Sequence, residues 1–284
     1  MIIDSHCHAW AYWPYVPGVP FPETHGAVEQ LLWRMEHNGV DQAAIVCAAI
    51  WHNRDNNDYV AAAVRANPGR LHQFADIDSY WGDSYHTPKA AGRLEASAKK
   101  WPMKGFTQYQ SREDDGSWFD SPDGRDFLGV ARDLKLIASI ACGPGHVPAI
   151  VRAAERFPSV PFLLHHMAGL KASEAPPRQN FQTVMAASRL PNVYLKLSGF
   201  AYLTSTTWDF PYADTRWVYE GAYERFGTRM CWGSDFPPVE NYMTHQQSLE
   251  AFRTHCGFVS PADREAILGG TLRHLFDSAR DVLR

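Results

Sequence analysis

The chain has 284 residues, 45% of them hydrophobic and 20% charged, and its 10 Trp, 12 Tyr and 15 Phe are too many for a solvated, disordered polymer. Such a length suits one large α/β domain or two small ones. With 27 basic against 31 acidic residues the formal charge is −4, and Lys99-Lys100 is the longest basic pair, which excludes the electrostatic footprint of nucleic-acid or acidic-membrane binding.

Short apolar runs alternate with amphipathic segments from one end to the other. Ile2-Ile3 opens the series, and Ala27 to Asn38 follows, with Val28, Leu31, Leu32 and Met35 at helical spacing and Gly39 as a stop. The later runs are Ala43 to Ala48, His72 to Ile77, Met103 to Gln108, Leu136 to Ala141, Pro161 to His165, Val193 to Leu197 and Met230 to Trp232. They are short and often β-branched or aromatic, which predicts strands. Between them the helical segments are Asp58 to Ala66, Pro88 to Lys100, Ser121 to Lys135, Val147 to Phe157, Asn180 to Leu190, Asp214 to Phe226 and His245 to His255. Pro261 opens a last helix to about Asp281, with Ser260 as its N-cap.

Strand-then-helix repeated eight times over about 250 residues predicts an α/β fold of the (β/α)8 TIM-barrel type, as one domain over residues 1–284. A doubly wound sheet is the alternative, and no G-x-G-x-x-G follows the first strand to support it. Two long loops, Ala9 to Gly26 and Ser198 to Ala213, each follow a strand and so belong at the C-terminal face of a barrel, where active sites form. Met1-Ile2-Ile3-Asp4 has neither the basic nor the apolar region of a leader, and the apolar run Ala43 to Trp51 is far short of the ~20 residues of a membrane helix. Five scattered cysteines without a C-x-x-C pair are expected to be reduced, buried thiols of a cytoplasmic protein.

Three clusters carry chemistry. In Asp4-Ser5-His6-Cys7-His8 the two histidines are two apart on a strand, so both point to one face and can share a divalent cation. Leu163-Leu164-His165-His166 is an apolar strand ending in paired histidines, of which alternation sends one inward and one outward. Asp235, after the last strand, is placed to ligate a metal or to take a proton from water; its plainer role is that of a turn-forming Asp before Pro237-Pro238. Falling after strands one, six and eight, the three clusters converge in a barrel.

The segments DSHCHAW, RFPSVPFLLHHMAG, PNVYLKLSGFA, MCWGSDFP and ILGGTLRHLF, in this order from Ile2 to about Phe276, resemble the landmarks of the amidohydrolase-related (amidohydrolase 2) family of (β/α)8 hydrolases. In style they are nearest its lactonase branch. The resemblance implies that His6, His8, His166 and Asp235 hold one divalent metal ion, zinc before manganese, and that Asp235 and His166 are catalytic. His165 stands where the family tends to have Asp, which leaves the two histidines interchangeable as ligand. Metal-free catalysis, with the histidines binding a substrate carbonyl or carboxylate directly, stays open.

The activity implied is hydrolysis of a lactone or related carbonyl ester, with Asp235 as general base. The runner-up is non-oxidative decarboxylation of an aromatic or muconate-type acid, which the lack of an H-G-G-G segment at position 166 disfavours. A binding protein on a retired barrel would have lost its ligand-type residues, and these are intact. The expected partner is a small molecule, with a homo-oligomer left open. Candidate substrate contacts are Trp10, His52, Arg54, Lys104, Lys196 and His165. Arg112 is a second cation able to grip an anion, and Tyr12, Trp13 and Tyr15 could wall a ring-sized pocket. In the late loop Trp208, Phe210 and Tyr212 are placed to close over the site.

Overall fold

The computed structural model describes residues 1–16 and 18–280. Along the chain it runs β1 (Ile3–Cys7), α1 (Val28–Asn38), β2 (Gln42–Val46), α2 (Asn56–Ala66), β3 (Leu71–Asp76), α3 (Ala90–Lys100), β4 (Met103–Tyr109) and α4 (Pro122–Asp133). The second half follows as β5 (Ile137–Ala141), α5 (Val147–Arg156), β6 (Phe162–Leu164), α6 (Gln179–Ala186), β7 (Val193–Leu197), α7 (Phe200–Leu203), α8 (Arg216–Phe226), β8 (Met230–Trp232), α9 (His245–His255), α10 (Pro261–Glu265) and α11 (Thr271–Ser278). The strands form one 8-stranded parallel sheet in sequence order, a (β/α)8 barrel as expected.

Local signals set the helix ends. Ser121 accepts from the Gly124 amide and Pro122 takes the first turn of α4, while Gly39 ends α1 in the left-handed region at φ 67°. Ser260 caps α10 through the Asp263 amide, as its sequence position predicts. The last helix runs unbroken from Pro261 to Ser278 but is not regular throughout. A π-helical turn at Ala266–Gly270 divides α10 from α11, which ends at Ser278, and Asp281 lies outside the described residues.

Two apolar layers hold the barrel. The outer one joins the strands to their helices through residues such as Leu31, Val60, Leu94, Phe127, Ile150 and Phe252. The inner one gathers Ile3, Ala44, Phe74, Ile137, Leu163 and Cys231, together with Leu272, Leu275 and Phe276 of α11. The C-terminal helix thus plugs the N-terminal mouth and leaves the opposite mouth for chemistry.

A bulge in β1 decides which way that chemistry points. Its register against β2 shifts between Asp4 and Cys7, so Ile3 belongs to the inner layer while Cys7, an even number of residues on, belongs to the outer one. The extra residue reverses the alternation and turns His6 and His8 inward. At the seam between β8 and β1, Asp235 N–H donates to His6 O at 2.7 Å and His8 N–H to Phe236 O at 2.6 Å. Asp4 ties the same two segments, its Oδ1 accepting from the amides of His6 and Ser234.

Candidate active site

Asp235 is the centre of the cluster. Its Oδ1 lies 3.4 Å from His6 Nε2, 3.4 Å from His8 Nε2 and 3.8 Å from His166 Nε2, and the residue is only 2% exposed. The other carboxylate oxygen accepts a 2.5 Å hydrogen bond from the Tyr202 hydroxyl. Burial alone would push this carboxyl's pKa up. The facing His166 and His8 imidazoles and the Tyr202 hydroxyl outweigh that and hold it below the usual value, so Asp235 is a carboxylate.

Each imidazole is fixed from behind. His8 Nδ1 donates to Val46 O at 2.6 Å, which holds Nε2 toward Asp235, and Trp10 stacks on its ring at 4.8 Å. His166 Nδ1 lies 2.9 Å from Ser198 Oγ. His6 Nδ1 faces Lys196 Nζ at 3.3 Å, and its Nε2 is buried without a hydrogen-bond partner. Burial, with Lys196 close by, lowers the pKa of His6 and His165 well below the usual histidine value; burial also lowers that of His166. The lowered values favour the neutral, ligating form of His6 and His165.

Strand alternation does not separate His165 from His166. β6 ends at Leu164, and His166, Met167 and Ala168 then take left-handed backbone angles, with φ of 46°, 56° and 54°. Three such residues in a row are costly without glycine. They swing His166 into the mouth beside His165, so both rings lie within 4.5 Å of His6, centroid to centroid.

The structure also brings Lys196 and Trp10 to the cluster, both fully buried. Lys196 Nζ donates to Ser139 Oγ at 2.7 Å, and burial pulls its pKa down to about 7. Lys104 is a correction. It stands beside an irregularity at the start of β4 and donates to the carbonyls of Phe276 and Arg280, at the plugged end of the barrel and away from the cluster. His52 and Arg54 stay exposed on the rim, the first against Tyr12 and the second donating to Trp81 O. Trp208 is 84% exposed and does not cover the site, whereas Tyr212 is buried.

Sequence reasoning missed Tyr202, Ser139 and Ser198. Ser198 lies two residues beyond Lys196, so alternation along β7 could have found it. Tyr202 sits in the short helix α7 inside a loop, where no periodicity points at Asp235. Removing its hydroxyl should expose that link. In Tyr202→Phe the carboxylate loses a donor, its pKa rises, and the acid limb of the rate profile moves to higher pH. A charged hydrogen bond of ~1.5 kcal/mol predicts roughly tenfold lower turnover at acid pH and little change at alkaline pH. A pH–rate profile superimposable on the unmodified enzyme's would show that Tyr202 does not tune Asp235.

Among the described residues, two groups of side chains have metal-ligand spacing, His6 with His8 and Asp235, and His6 with His165 and His166. The first fits a divalent ion well: two imidazoles, a carboxylate, a buried His6 Nε2 without a partner among the described residues, and the Val46 carbonyl that orients His8 from behind.

A parallel barrel with histidines after strands one and six and an aspartate after strand eight is the plan of a hydrolase of the amidohydrolase superfamily. The chain belongs to that family: the model described as Amidohydrolase (Amidohydro_2) matches residues 3–277. An L-fucono-1,5-lactonase of Burkholderia ambifaria is 24% identical over 297 residues, covering 96% of this chain and 94% of that protein. Among solved structures, a zinc-bound amidohydrolase from Burkholderia multivorans shares the fold with a TM-score of 0.77 at 19% identity, over 98% of this chain and 99% of that one. A probable 2-pyrone-4,6-dicarboxylic acid hydrolase from Acinetobacter baumannii, with citric acid bound, gives 0.76 at 16% identity over 97% and 99%.

Proposed function

We propose that this enzyme opens a lactone or related carbonyl ester, with Asp235 taking the proton from the attacking water. The observation that carries the reading is one buried carboxylate oxygen facing three imidazole Nε2 atoms at 3.4, 3.4 and 3.8 Å. An ionised carboxylate there can accept a proton as water adds to a carbonyl, then return it to the leaving oxygen. The names of the similar lactonase and pyrone hydrolase support this chemistry. So does the absence from the sequence of a G-x-S-x-G nucleophile elbow.

In this reading His6, His8, His166 and Asp235 hold one divalent ion, zinc before manganese, as the zinc-bound relative suggests. Such an ion supplies Lewis acidity, polarising a carbonyl and making water a better nucleophile at neutral pH. Ligation by His6 Nε2 places the other proton on Nδ1, where Lys196 in its amine form accepts it. Purified protein should therefore carry about one equivalent of divalent metal by mass spectrometry, and chelation should abolish a turnover that zinc restores. Full activity after complete metal removal would replace this with the imidazole-assisted route.

The reaction itself is tested by a panel of lactones in a pH-indicator assay, beside aromatic acids in a CO2-release assay. Acid production from a ring-sized lactone is expected. Release of CO2 with no acid from any lactone would overturn the reading.

A further inference from the structure

Behind the histidine cluster runs a buried hydrogen-bond relay that ends on an unused donor. Lys196 Nζ donates to Ser139 Oγ at 2.7 Å, and Ser139 Oγ lies 2.7 Å from His165 Nε2. All three residues are buried. An ammonium can only donate, and an amine whose lone pair takes the His6 Nδ1 proton has only N–H left, so Ser139 accepts from Lys196 in either form. A hydroxyl that has accepted there has one proton left, and His165 Nε2 is the partner it faces. Nε2 is then an acceptor, and a neutral imidazole must carry its proton on the other nitrogen.

That other nitrogen, His165 Nδ1, is buried and has no hydrogen-bond partner among the described residues. Its ring is wedged edge-on between His6, with centroids 4.4 Å apart, and Tyr109, at 5.5 Å. Tyr109 adds a buried hydroxyl that likewise has no partner among the described residues. Buried polar groups are rarely left unpaired, because desolvation is then uncompensated. Two such groups stand here on neighbouring rings, one of them packed against His6 of the cluster.

We propose that His165 carries its proton on Nδ1 and presents that N–H to an oxygen of the substrate, while Ser139 and Lys196 act as positioning residues that fix the tautomer. This rests on the lactone-hydrolase reading for its choice of oxygen, the ring carbonyl. In the reaction the donor would meet the negative charge that develops on that oxygen as water adds.

The test uses the full chain labelled with 15N at histidine, with long-range 1H–15N spectra reporting the tautomer of each ring. His165 should show the Nδ1–H form, Ser139→Ala should mix or invert it, and δ-valerolactam, a ring carbonyl that water does not readily open, should shift the Nδ1 proton. An Nε2–H form in the unmodified protein, a tautomer indifferent to Ser139→Ala, or a proton unmoved by the lactam would each overturn the proposal. In kinetics, His165→Phe should lower kcat/KM about 10²-fold, with the acid limb set by Asp235 unmoved. Ser139→Ala, a smaller change, should lose part of the same activity. Should no lactone be hydrolysed, the function reading fails while the tautomer and lactam spectra still decide the role of His165.

Discussion

Asp235→Asn should lower kcat by about 10²- to 10⁴-fold, the range of a positioned general base, and leave the barrel folded. The amide has nearly the volume of the carboxylate and keeps an oxygen for the Tyr202 hydroxyl, so packing at this buried position survives. What disappears is the negative oxygen between the three imidazoles. Because the base acts in the chemical step, kcat and kcat/KM should fall together while KM changes little. Denaturant midpoints would confirm that the variant is folded, and turnover within threefold of the unmodified enzyme would make Asp235 a structural residue.

The barrel was legible in the sequence because the strands are short apolar runs and helix ends carry their own signals, such as the stop at Gly39 and the N-cap at Ser260. The convergence of the candidate residues was legible where chemistry and strand end coincide, as at His6, His8, His166 and Asp235. What stayed hidden depends on register. The β1 bulge, which turns His6 and His8 inward, follows from pairing with β2 and has no signature in the five residues themselves. Lys104 and Lys196 look alike on paper, yet one tethers α11 and the other lies inside the barrel beneath His6. The left-handed stretch after Leu164 contains no glycine until Gly169, so nothing in its composition announces that both histidines face the mouth.

Gly233→Ala should damage both the fold and the site, because the added methyl group meets backbone. A Cβ there would stand 2.7 Å from His6 Cβ, 2.8 Å from His6 N and 3.0 Å from Ser5 Oγ. Two of these three neighbours belong to the His6 backbone and its first side-chain carbon, so no flexible tip can swing aside. β1 and β8 must separate instead, at a seam held by the bonds from Asp235 N to His6 O and from His8 N to Phe236 O. Overpacking of this kind costs ~1–3 kcal/mol or more, read as a lower urea midpoint at unchanged slope. The same displacement moves His6 and His8 relative to Asp235, and about 1 Å of misplacement can cost on the order of 10²-fold in rate. Gly129, in the interior of α4, is the control, because a Cβ there meets nothing within 4 Å. Gly129→Ala should leave activity intact and hold or raise stability, since alanine is the better helix former. If Gly233→Ala matched it in both midpoint and turnover, the seam would have slack, and the close approach of β8 to β1 would not be what holds the carboxylate against the histidines.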